Sequence, residues 1–133
     1  MRYSARLVAV KPLAPGEPVS YGCTWRAPAD TWLGVLPVGY SDGYLRSLSN
    51  RGQVLVGGRR RPVRGRVCMN LTVVELGPQG AGVPVGAEAV LLGRQGEAVI
   101  GLDELAELAG TIPYEVCCAL GAANPKSHRP AAA

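Results

Sequence analysis

Short apolar runs, broken every few residues by glycine or proline, set the pattern of this chain, and most alternate in the way half-buried strands do. Ala5-Arg6-Leu7-Val8-Ala9-Val10-Lys11 predicts a first strand, closed by a loop holding Pro12, Pro15, Gly16 and Pro18. Val19-Ser20-Tyr21-Gly22-Cys23-Thr24-Trp25 predicts a second, in which Gly22 interrupts the packing directly after a tyrosine. Thr31 to Val38 is apolar nearly throughout, as in a strand covered on both faces, and Gly39 to Asn50 is a Gly-, Ser- and Asp-rich exposed loop. Gln53-Val54-Leu55-Val56 and Arg61-Pro62-Val63 flank Gly57-Gly58, which suits a hairpin turn because both residues accept positive φ. Arg66 to Met69 and Leu71 to Glu75 continue the β pattern. Gly77 to Gly86 is a loop, and Glu88 to Leu92 is expected to pair with Glu97 to Ile100 across Gly93-Arg94-Gln95-Gly96. One helix stands out, Leu102 to Ala109, with acidic Asp103 and Glu104 in its first turn and Gly110 just beyond it. Val116 to Leu120 reads as a last strand. The fold expected is mainly β: an antiparallel, Greek-key-like β-barrel with one short helix.

Composition narrows the chemistry. At 133 residues and 47% hydrophobic the chain fits one domain with a real core. No apolar run reaches membrane-spanning length and the start lacks a signal-peptide core, so a cytoplasmic setting with no membrane partner is expected. Of four cysteines, Cys117 and Cys118 are adjacent and none has a histidine nearby, which argues against zinc and for free thiols. The only histidine, His128, lies near the end, so no histidine-based triad can be built. The net charge of +4 is carried by arginine, with Arg59, Arg60, Arg61, Arg64 and Arg66 in one dense stretch. That stretch holds no aromatics on which bases could stack, so nucleic acid is not the expected partner. Lys11 stands at a strand end before Pro12 and Lys126 near the terminus, neither a position for a desolvated, activated lysine. Acid–base work would fall to Tyr, Cys, Asp or Glu. A tyrosine in that role needs help to ionise, its ordinary pKa being about 10.

Four of the five tyrosines fall in four segments. These are Val19 to Trp25, Val38-Gly39-Tyr40-Ser41-Asp42-Gly43-Tyr44, Gly65-Arg66-Val67-Cys68-Met69-Asn70 and Thr111-Ile112-Pro113-Tyr114-Glu115-Val116. In their order and spacing they resemble the C-terminal domain of alanine racemases, the pyridoxal-phosphate enzymes that interconvert L- and D-alanine, from about Ala5 to Val116. The resemblance implies a domain over residues 1–120 and a loosely ordered tail over 121–133. The N-terminal (β/α) barrel with the cofactor lysine is expected to lie outside this chain, which alone is expected to be inactive. It implies a head-to-tail homodimer in which this domain completes the site on the barrel of a second subunit. By motif, Tyr21 matches the catalytic tyrosine that exchanges the α-proton, opposite the lysine. Tyr40 and the backbone N–H of Met69 match substrate contacts, Tyr114 a cofactor-phosphate contact, and Arg46, Arg66 and Ile112 a substrate corridor. Asn70 stands where the family usually has aspartate, and Ala123 and Lys126 where arginines are common. Two other readings remain: a racemase of this architecture acting on serine or a broader amino-acid set, and a non-catalytic basic β-barrel interaction module.

Overall fold

The computed structural model describes residues 2–19 and 24–123. The described chain is mainly β, with ten strands and two helices. The first strands are β1 (Tyr3–Arg6), β2 (Ala9–Leu13), β3 (Pro18–Val19), β4 (Trp25–Arg26) and β5 (Thr31–Leu36). After them come β6 (Gln53–Val56), β7 (Arg59–Pro62), β8 (Thr72–Gly77), β9 (Glu88–Gln95) and β10 (Ala98–Ile100). One sheet runs β1-β9-β6-β7 with β10 added to β9, a second runs β2-β5-β8, and β3 pairs with β4.

These ladders do not close into the expected barrel. The anticipated strand from Ala5 to Lys11 breaks at Leu7-Val8, because its two central N–H groups bond different sheets. Leu7 N–H donates to Ala87 O (3.0 Å) and Val8 N–H to Val35 O (2.8 Å), so the chain passes from the first sheet into the second. On the far side, backbone bonds join the sheets at the bridge of Val63 with Val74 and from Arg64 N–H to Val73 O (2.9 Å). Pro62, which has no N–H to give, ends β7 there. Pro12 sits within β2, an edge strand, where a missing donor is tolerated.

Other expectations are corrected locally. Val19 and Trp25 are opposite each other in an antiparallel pair, so they do not lie along one strand; Ser20 to Cys23 fall outside the described residues. Arg66 to Met69 is not a strand. β9 runs on through Gly93 to Gln95, and the hairpin turn is Gly96-Glu97 instead of Gly93 to Gly96. Val116 to Leu120 is helical, part of a second helix. A short apolar run has no period long enough to separate strand from helix. The Gly57-Gly58 hairpin is found as expected, with φ of 64° and 73°.

Helix α1 (Leu102–Ala109) matches its sequence signals, ending on Gly110 at φ 75°. Helix α2 (Pro113–Ala123) starts on a proline, which loses nothing at a first helical position, and carries Glu115 at its positive end. Leu105 and Ala106 of α1 and Val116 and Leu120 of α2 join Leu7, Leu36, Val54, Leu91 and others in the main core. Each large aliphatic side chain so buried contributes about 1.5–3 kcal/mol. The two helices thereby press against the loops that follow β5, where the candidate site lies.

Candidate functional site

β5 leaves the core at Leu36 and delivers the chain, through Pro37 and Val38, to Gly39 and a 3-10 turn over Tyr40–Asp42. The turn is closed from within. The Asp42 carboxylate accepts from Gly39 N–H (3.0 Å), and the N–H groups of Asp42 and Gly43 donate to Gly39 O and Tyr40 O. Its exposed N–H groups dock on a neighbouring segment: Tyr40 N–H donates to Cys68 O and Ser41 N–H to Met69 O, both at 3.0 Å. Gly39 lies so close to these two carbonyls that a Cβ there would collide with them. Gly43, at φ 88°, lies against the backbone of Ala119 in α2 in the same manner.

The two tyrosines of this loop have opposite fates. Tyr40 is 45% exposed, while Tyr44 is 1% exposed and packs into the core beside Gly52. The Tyr44 hydroxyl has no hydrogen-bond partner among the described residues, and complete burial pushes its phenol far above the ordinary value, which removes it from proton transfer near neutral pH.

The opposite wall is a second 3-10 turn, Arg46–Leu48. Ser47 Oγ donates to Ala109 O at the end of α1 (2.7 Å). Ser49 Oγ donates to Arg46 O (2.6 Å) and accepts from Val67 N–H (2.7 Å). Asn50, at φ 59°, exchanges two bonds with Gly65: its N–H donates to Gly65 O (3.1 Å), and its Oδ1 accepts from Gly65 N–H (2.6 Å). These latches hold residues 46–50 along residues 65–67. Between the walls lies a cleft of about 350 Å³ lined by Tyr40, Arg46, Arg66, Val67, Cys68 and Met69. An adjoining cleft of about 360 Å³ is lined by Arg46, Ser47, Ser49 and Arg66, so the two arginines are shared.

Four of the residues singled out in the sequence, Tyr40, Arg46, Arg66 and Met69, are thus brought to one cleft. Ile112 and Tyr114 do not line it. They stand 61% and 75% exposed where α2 begins, three and five positions after the Ala109 carbonyl that holds Ser47. Tyr21 lies outside the described residues, but the chain just after it is anchored. Asn50 Nδ2 donates to Thr24 Oγ1 (3.0 Å), and the Arg64 guanidinium stacks 4.8 Å from the centre of the Trp25 ring. Arg64 is itself held by Glu75 at 2.9 Å, whose other oxygen accepts from Thr31 Oγ1. Sequence reading missed Val67 and Cys68 as lining residues and the latches of Ser49 and Asn50. The signal available was their setting in a loop rich in side chains that bond backbone.

Chemically, the cleft suits a small anion. Two arginines and a tyrosine line it, and Met69 N–H has no hydrogen-bond partner among the described residues. Of the rest of the arginine-rich stretch, Arg59 is exposed, while Arg60, Arg61 and Arg64 are tied to the scaffold. Arg60 pairs with Glu104 and donates to Val99 O, and Arg61 donates to the carbonyls of Val56 and Leu76. Burial draws the Arg61 guanidinium below its ordinary value. These bonds leave little of a basic patch for nucleic acid. Among the described residues no helix is long and apolar enough to cross a membrane.

Residues 1–128 match the family described as alanine racemase, C-terminal domain. The alanine racemase of Geobacillus kaustophilus is 48% identical over 122 residues, covering 92% of this chain and 31% of that protein. The crystal structure of alanine racemase from Bacillus anthracis with bound L-Ala-P superposes with a TM-score of 0.84 at 36% identity, over 90% of this chain and 30% of that one. The enzyme from Bartonella henselae, solved with covalently bound pyridoxal phosphate, gives 0.82 at 25% identity, over 90% and 32%. The chain therefore spans about a third of the length of its relatives. It belongs to the alanine racemase C-terminal domain family.

Proposed function

We propose that this chain serves a pyridoxal-phosphate-dependent racemase interconverting L- and D-alanine, and that it supplies one face of the active site. The observation that supports this best is the gathering of Tyr40, Arg46, Arg66 and the Met69 turn around a single small cleft, in a chain matching the family over nearly its whole length. In this reading the amino acid's carboxylate is received by Met69 N–H, with Arg46 and Arg66 attracting it along the corridor and Ile112 narrowing the way in. Tyr40 borders the substrate. Tyr21 is the proton carrier on one face of Cα, and a lysine of a second subunit's N-terminal barrel domain is the carrier on the other. The assembly is a head-to-tail homodimer in the cytoplasm, and this chain alone does not racemise alanine.

The fit of the cofactor can be judged on this chain's own groups. Tyr114, 75% exposed at the start of α2, offers one phenol that can donate to a phosphate oxygen. Lys11, the only lysine among the described residues, is exposed on edge strand β2. This face fits a wall of the cofactor site and not its covalent anchor. When bound, pyridoxal phosphate supplies the electron sink that acidifies the amino acid's α-hydrogen. The chain's part is to hold the carboxylate, exclude water with Tyr40 and Met69, and offer the ionised Tyr21 phenolate oxygen to accept the α-proton on one face, returning it as the phenol on the reverse path.

Tyr21→Phe in the active enzyme tests the assignment, since it keeps the ring and removes the proton carrier. Racemisation in both directions is expected to fall by about 10² to 10⁴, the worth of a positioned general base. Exchange of solvent hydrogen into the enantiomer whose proton faces the lysine should survive best. Near wild-type racemisation in the variant overturns the assignment.

A further inference from the structure

Ser41 Oγ has two polar neighbours that cannot both be acceptors. It lies 2.7 Å from Met69 O and 3.0 Å from the atom placed as Asn70 Oδ1. A serine hydroxyl has one proton, a carbonyl oxygen can only accept, and the two ends of an asparagine amide have the same shape. The shorter contact must take the serine proton. The second contact is then favourable only with the amide turned, so that nitrogen faces Ser41. We infer that Asn70 is a positioning residue: its Nδ2–H donates to Ser41 Oγ, and Ser41 in turn donates to Met69 O.

The relay matters because of what it does to the backbone. In a trans peptide the C=O and N–H point in opposite directions. Tyr40 N–H holds Cys68 O, which aims the N–H of the same peptide, that of Met69, away from the 3-10 turn. Ser41 holds Met69 O twice, through its N–H (3.0 Å) and its hydroxyl, and so aims Asn70 N–H the same way. Neither N–H has a partner among the described residues. Two successive donors pointing one way form a concave site for an anion. The Asn70 side chain is the outermost link that keeps the second of these peptides from rotating. An amide suits this task where a carboxylate of equal size does not. An ionised aspartate cannot donate, so Ser41 would have to give its proton either to the aspartate or to Met69 O.

This inference rests on the reading that the Met69 turn receives the substrate carboxylate, and its test separates the two. The first measurement is the side-chain amide signal of Asn70 by ¹⁵N NMR on this chain. One of its two protons is expected downfield and slow to exchange, with an Overhauser contact to Ser41, and Ser41→Ala should abolish these features and shift the Asn70 backbone amide. Two fast-exchanging Asn70 protons indifferent to Ser41→Ala overturn the relay. The second measurement is kinetic, on the active enzyme. Asn70→Asp and Asn70→Ala are expected to raise KM for alanine by about 3- to 10-fold, the scale of one modest hydrogen bond. Their kcat should stay within about twofold, because a carboxylate contact is made equally in ground and transition states. An unchanged KM with the relay seen by NMR overturns the positioning role. Should Arg46→Met also leave KM unchanged, the fault lies in placing the carboxylate at this cleft.

Discussion

Arg64 and Arg66 are separated by one glycine, yet they belong to different parts of the molecule. Arg64 is drawn inward: its Nε donates to the Glu75 carboxylate at 2.9 Å, and its plane covers the Trp25 ring. Arg66 lines both clefts beside Arg46. The switch is Gly65, at φ 77°, whose N–H and carbonyl are both taken by Asn50. A left-handed residue held at both ends redirects the chain between the two arginines. Tyr40 and Tyr44 show the same division, with Gly43 at φ 88° between them. A residue's type and its neighbours therefore say less about its role than the backbone turn that precedes it.

The largest test of that view changes neither arginine. Gly39→Ala places a methyl group against the Cys68 and Met69 carbonyls, which as backbone cannot move aside cheaply. Unfolding in urea should show a loss of about 3 kcal/mol, the upper end of overpacking, with an unchanged slope. If the cleft were set by charge alone, this variant would be silent. Next comes Arg64→Met, which keeps an unbranched stem and removes the charge. Glu75 then sits half-buried with Thr31 as its remaining partner among the described residues. The expected loss is about 1–2 kcal/mol, below that of a fully buried pair because both groups keep some contact with water. Tyr44→Phe removes a buried hydroxyl that has no partner among the described residues and should raise stability by about 1 kcal/mol, read as a higher melting temperature. A destabilised variant would show that the hydroxyl is satisfied after all. The smallest effect on stability belongs to Arg46→Met, expected to stay within about 0.5 kcal/mol. Equal losses from Arg46→Met and Arg64→Met would dissolve the distinction between cleft and scaffold.

What the sequence made legible was local. Gly57-Gly58 announced its hairpin because two adjacent glycines suit the φ > 0 that a two-residue turn demands. Asp103, Glu104 and Gly110 bounded the first helix through dipole and cap chemistry, which also act over a few residues. The second helix had comparable marks in Pro113 and Glu115, but an apolar run as short as Val116 to Leu120 suits a strand equally well. Tyr40, Arg46, Arg66 and Met69 were found through motif order, while their meeting in one cleft depends on bonds that link residues far apart. Ser49 reaches Val67, Asn50 reaches Gly65, and Ser41 reaches Met69. No periodicity encodes such pairs. The barrel expectation failed for a related reason. Whether strands close depends on how Leu7 and Val8 divide their two N–H groups, and alternation is blind to that choice.

The pairing of β1 with β9 has a consequence for how the fold is reached. Tyr3 lies opposite Leu92, so β1 is made well before the strand it must pair with. Closing so long a loop costs entropy before any contact repays it, and chains dominated by such pairings refold in milliseconds to seconds. Until β9 arrives, β1 has no partner and its backbone is open to other chains. A circular permutant opened just before β9, so that β9 precedes β1 in the chain, should refold faster and aggregate less during refolding if β9 now meets β1 sooner, with the native pairing unchanged.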